Sequence, residues 1–307
     1  MEPHPLFELR DVVFQYVGFL ASFLVLGPLG FRYGVVRRGV GAPGLTDGAL
    51  ARAAKLGLLG VGLAVVSLVA GLLKRAAAKH LSVSEVFHAG GAASYAQVVL
   101  LGVLAVAFAL AARGVARAPA SQAGQTGRTM KAGPAWGVAS VAGGAYALRE
   151  LLSGRLAAMI NPLHVLGASL WIGTLFVLVV CGIGVMLSPG VPPAERESAV
   201  ATMVRRFSVL ALSAAGLLGV TGVWTAWTHL KRVDSLWTTP YGYVLDAKLC
   251  VVLGVAALGA WNWRKVGPAL GKDGGALTIR RTATMELALA ALVLALTAIL
   301  VSVPGPK

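Results

Sequence analysis

The sequence predicts an all-α fold: a polytopic membrane helix bundle of about eight transmembrane helices with both termini outside. Three observations predict it. The chain has 307 residues, of which 57% are hydrophobic and only 13% charged, against about 25% charged in ordinary soluble domains. Its mean hydropathy is +0.78. Its apolar residues gather into runs that match a hydrocarbon core of about 30 Å, which takes roughly 20 helical residues to cross.

Val12–Phe31 is the first expected helix, with Gln15 and Pro28 as tolerated interruptions. The start MEPHPLFELRD sets Glu2, Glu8 and Asp11 against Arg10. A cleavable signal peptide needs a basic start, so this helix is expected to be retained. Leu56–Leu73 and Ala96–Ala112 follow, both uncharged, and then the short, weakly hydrophobic Ala135–Leu148. Asn161–Leu187 is fifth and organises the chain, being free of formal charge yet carrying His164 at its start. Phe207–Thr228, Val244–Trp263 and Ala283–Val303 complete the set. Residues 1–154 and 155–307 are expected to be two halves of one continuous bundle. Gly216, Gly219 and Gly222 read as packing contacts, because small residues let helix backbones approach closely in lipid.

The net charge of +15 is assigned to lipid headgroups rather than to nucleic acid, since the cations cluster at the ends of apolar runs. One set of alternating loops holds Arg32, Arg37, Arg38, Arg52, Lys55, Arg113, Arg117, Arg128, Lys131, Arg196, Arg205, Arg206, Arg264, Lys265, Lys272, Arg280 and Arg281. The opposite set is poorer: Arg10, Lys74, Arg75, Lys79, Arg149, Arg155, Lys231, Arg232 and Lys307. The richer set is expected in the cytoplasm.

That orientation puts all five histidines, His4, His80, His88, His164 and His229, on the outer side. Neutral imidazole is a common ligand for transition metals, and a thioether suits Cu(I). An outward-facing metal site is therefore expected from His164 with some of His229, His80, His88 and Met159. If their segment is helical, His80 and His88 lie about 80° apart around its axis. His164 stands out, because an ionisable group at the head of an apolar helix points to function.

Other polar residues read as support. Lys248 lies about one turn inside its helix near Asp246, where an ion pair or snorkelling explains it. Glu286 has Arg280, Arg281, Arg205 and Arg206 available to neutralise it, and Asn262 closes the seventh helix. Trp171, Trp224, Trp227, Trp237, Trp261 and Trp263 read as an aromatic belt. Cys181 and Cys250 should differ in depth by more than about 15 Å, so no disulfide is expected. No phosphate loop, nucleophile elbow or HExxH motif occurs, so hydrolase and ATPase readings find no support and no catalytic residue is assigned.

Together these residues form a recognisable order: His164-x6-Trp171-Ile172-Gly173, Arg206-Phe207-Ser208, Thr221-Gly222, Tyr241-Gly242 with Leu245 and Lys248, Asn262, and Glu286 before Pro304. Over residues 155–305 it resembles the bacterial copper resistance protein D family. The resemblance implies a multi-pass protein of the bacterial inner membrane that moves copper from periplasm towards cytoplasm, working with a periplasmic copper carrier and catalysing no reaction. It marks His164, Trp171, Arg206, Lys248, Asn262 and Glu286 as recurring polar positions. More distantly, the chain resembles haem-containing membrane oxidases of the protoporphyrinogen type, which implies haem b with His164 and His229 as axial ligands. A third reading is a non-catalytic subunit of a larger membrane complex.

Overall fold

The computed structural model describes residues 8–37, 40–116, 129–148, 156–230, 232–267, 270–271 and 274–303, and every regular element among them is helical. His4 and the loop cations Arg38, Arg117, Arg128, Arg149, Arg155, Lys231, Lys272 and Lys307 lie outside the described residues.

Helix α1 (Leu9–Gly30) ends in a π-helical turn, Phe31–Val35. α2 (Pro43–Lys79) starts with proline at its first turn, where the missing N–H is not needed, and stops at His80 in left-handed geometry. The short α3 (Val83–Ala89) follows. Its capping box is reciprocal: the Glu85 N–H donates to Ser82 Oγ and the Ser82 N–H to Glu85 Oε2. α4 (Gly91–Ala116) and α5 (Thr129–Leu148) come next. α6 starts as Leu156–Ala168 and runs unbroken through π-helical Ser169–Gly173, Thr174–Val177, π-helical Leu178–Ile183 and Gly184–Met186. α7 (Pro193–Leu230), the single turn α8 (Ser235–Thr238), α9 (Pro240–Trp261, then π-helical Asn262–Val266) and α10 (Gly275–Ser302) close the chain.

Among the described residues seven helices are long and apolar enough to cross a membrane. The chain is an all-α, multi-pass membrane protein. Helix α5, expected as the fourth span, is not one of the seven. Glycines, Lys131 and Pro134 dilute its apolar content, yet it packs against α4 and α1 and buries Trp136 and Tyr146. The Trp136 ring stands edge-on to Phe108.

Several helices run past the expected bounds. Leu56–Leu73 is the middle of a 37-residue helix, and Phe207–Thr228 the end of a 38-residue one. Their Ala-, Leu-, Glu- and Arg-rich flanks favour helix outside the apolar window. Interhelical staples fix those flanks. The Glu197 carboxylate is buried and accepts the Ala276 N–H at the start of α10 (2.8 Å), which suits the positive end of that helix. Arg196 donates to the carbonyls of Met186 and Val191.

The organising helix is central. Two thirds (67%) of its apolar window is buried, against 11% for α9 and 17% for α7. α1 lies directly on it: a Cβ at Gly27 would strike the Gly173 backbone, and one at Gly173 the Phe23 carbonyl. Gly60 brings α2 equally close to Leu24 and Val25. Gly216 and Gly219, expected as packing contacts, face open space instead. Glycine content alone does not say which face meets a neighbour.

Candidate functional site

His164 belongs to α6, eight positions after Leu156, so it lies about 12 Å inside the helix rather than at its mouth. Helix α7 packs against α6 and meets it there through Thr221, and α9 carries Lys248 within electrostatic reach. Thr221 lies nine positions before the end of α7, about 14 Å in, and Lys248 eight positions into α9, about 12 Å in.

His164 Nδ1 and Thr221 Oγ1 are 2.9 Å apart. The hydroxyl also lies 2.7 Å from the Leu217 carbonyl, one turn back. A carbonyl only accepts and a hydroxyl has one proton, so that proton goes to Leu217. In a neutral ring, Nδ1–H then donates to Thr221, and Nε2 keeps its lone pair. This is how an outer hydrogen bond fixes the tautomer of a ligand histidine. Gly222 makes room, since a Cβ there would lie 3.3 Å from His164 Cε1. The Lys248 ammonium is within electrostatic reach of the ring. Among the described residues no ion pair joins Lys248 to Asp246. The two are two positions apart and point to different faces of α9.

The other expected ligands are spread out. His229 lies eight positions beyond Thr221, about 12 Å further along α7. Its ring is exposed, stacks on Tyr241 at 5.9 Å and bonds the Thr225 carbonyl through Nδ1. His164 and His229 therefore do not form a bis-histidine haem pair. His80 ends α2 and His88 sits in α3 with Nδ1 2.6 Å from the Ser84 carbonyl, against Phe87 and Tyr95. The break at residues 80–82 leaves the two without a shared helical axis, so the expected angular spacing does not apply. The Met159 side chain lies outside the described residues. Among the described residues no three His, Cys, Asp or Glu side chains gather as a metal cluster. The described histidines do share one end of the bundle, where α2 and α7 end and α6 and α9 begin.

A second polar level lies 14 positions further along α9, about 21 Å from Lys248. Asn262 and Glu286 are both buried, and Asn262 Nδ2 donates to Glu286 Oε1. Asn262 Oδ1 has no partner among the described residues. Arg280 and Arg281, expected to neutralise Glu286, are exposed. Arg206 Nη1 donates to the Val35 carbonyl at the end of α1 (3.0 Å). Trp171 is not part of an aromatic belt: it is half-buried against the core in a π-helical stretch of α6. Trp224, Trp227, Trp237, Trp261 and Trp263 are exposed. Cys181 and Cys250 are free thiols, one buried and one exposed.

Residues 201–300, which carry Thr221, Lys248, Asn262 and Glu286, match the family model described as copper resistance protein D. This region is of the copper resistance protein D family. A relative in Bacillus subtilis (strain 168), the copper transport protein CutJ, is 31% identical over 148 residues, which is 48% of this chain and 25% of that protein. The match thus spans about a quarter of the length of that curated relative. No solved structure matches the chain. The copper-resistance-D region supplies Thr221 and Lys248 to the site, and α6 supplies His164 from just before the matched residues.

Proposed function

We propose that the chain carries copper ions across a bacterial inner membrane, from the histidine-bearing end towards the cytoplasm. The observation that carries this reading is the contact of His164 with Thr221 inside an apolar bundle, with Lys248 in electrostatic reach. Thr221 holds the ring so that Nε2 is available to a soft cation. A single imidazole makes an open site, and the nearby ammonium keeps a cation from settling. Conduction asks for this balance, with binding strong enough to admit the ion and weak enough to release it.

His80, His88 and His229, at the same end, meet the ion first, with Met159 as a further candidate donor. A periplasmic carrier protein delivers the copper there. Similarity to a copper transport protein supports the cargo, and the chain's own residues support the path.

The test is a Cu(I) titration of the purified protein against a competing chelator, with an optical scan of the same sample. Copper bound by the wild type and lost in His164→Ala, with no haem band, is the expected result. A haem band that shifts on reduction, or unchanged copper binding in His164→Ala, overturns the assignment.

A further inference from the structure

The N-terminal half holds a cleft that the copper path does not use. It has a volume of about 1080 Å³ and lies between α1, α2, α4, α5 and the start of α6, with Val301 of α10 beside it. It opens at the histidine-bearing end, because it takes the early part of α1 and the late part of α2.

Its lining is graded. Lys74 and Arg75 stand near the end of α2, and the floor reaches Ala64, eleven positions deeper. That is about 16 Å, close to one leaflet's half of a hydrocarbon core of about 30 Å. Phe14, Leu26, Leu68 and Leu100 make the walls largely apolar, with Gln15, Ser22 and Gln97 as polar points among them.

The polar groups are unevenly paired. Arg75 Nε donates to the Gly71 carbonyl at 3.1 Å, which fixes the stem and leaves the fork of the guanidinium with no protein partner among the described residues. Lys74 is 2.6 Å from Asp11. Ser67 Oγ, in the lining, is buried without a partner among the described residues. With Lys74 matched by Asp11, the Arg75 guanidinium leaves the mouth with a net positive charge, which favours an anion over a metal ion. A cationic mouth over an apolar shaft fits an anionic head joined to a hydrocarbon chain.

We propose that the cleft binds one anionic phospholipid. Its phosphate lies against the Arg75 fork with Lys74 alongside, and an acyl chain descends past Leu68 towards Leu26. This is independent of the copper assignment.

The experiment is native mass spectrometry of the full chain released from mild detergent after exchange into mixed phosphatidylglycerol and phosphatidylcholine. One phosphatidylglycerol is expected to stay bound. Arg75→Gln should lower its retention about tenfold, the size of one charge-assisted hydrogen bond. Gly18→Leu is the blocking variant: Gly18 lines the cleft, and a Cβ there meets nothing within 4 Å. It should abolish retention while leaving the helical circular dichroism and thermal midpoint intact. Dodecyl phosphate should displace the lipid, and inorganic phosphate at the same concentration should not. Equal retention of phosphatidylcholine, displacement by inorganic phosphate alone, or full retention in Gly18→Leu overturns the proposal.

Discussion

The His164 ring and the Thr221 hydroxyl meet where α6 crosses α7, with Nδ1 and Oγ1 2.9 Å apart. The hydroxyl's own proton is taken by the Leu217 carbonyl at 2.7 Å, so the contact sets which ring nitrogen is free. Thr221→Val keeps the shape and removes the acceptor. It is expected to weaken Cu(I) binding about 10–100-fold, the usual effect of losing an outer partner of a ligand histidine. Thr221→Ser should stay near the wild type. Equal affinity in Thr221→Val would show that the hydroxyl does not orient the ring.

Lys248 acts on the same ion by charge. Its charge reaches the His164 ring, so an ammonium there opposes a bound cation. Lys248→Gln should therefore bind Cu(I) several-fold more tightly and release it more slowly, whereas Lys248→Arg should behave as wild type. Weaker binding in Lys248→Gln, read in the same chelator competition, would mean that the amine helps to hold the metal.

The α1–α6 crossing predicts a contrast between two glycines. Gly27→Ala drives a methyl into the Gly173 backbone, and overpacking of this kind costs about 1–3 kcal/mol. Gly18→Ala meets open space and should hold or raise stability by up to about 1 kcal/mol. Thermal unfolding in detergent separates them, and equal midpoints would contradict the close approach.

Asn262 and Glu286 predict a coupling. Asn262→Leu removes the amide donor from a buried carboxyl group, at a cost of about 1–3 kcal/mol. The double variant Asn262→Leu/Glu286→Leu should recover most of that loss. Additive losses in the unfolding midpoints would show that the two side chains do not act as a pair.

Much of the architecture was legible in the apolar runs, because lipid demands continuous helices of a set length. Asn161–Leu187 stood out as an uncharged run with a histidine at its head, and the structure makes it the most buried of the seven candidate spans. The helix ends were less legible, since Pro43–Lys79 and Pro193–Leu230 extend on propensity where hydropathy has faded. The site was half legible. His164 and Lys248 were visible as polar groups in apolar runs. Thr221, 57 positions from His164, was visible only as the Thr221-Gly222 pair, because apolar periodicity does not say which two faces meet. The outer histidines were grouped by side alone, and sharing an end of a bundle does not bring side chains within reach of one ion. Gly216 and Gly219 went astray for the same reason as Thr221.

If copper crosses by way of His164, the residue's loss must show in living cells. The most direct measurement is copper accumulation in cells that express wild type or His164→Ala at matched membrane protein levels. His164→Ala is expected to fall to the accumulation of cells lacking the protein, with Thr221→Val in between. Wild-type accumulation in His164→Ala at equal expression would contradict that route.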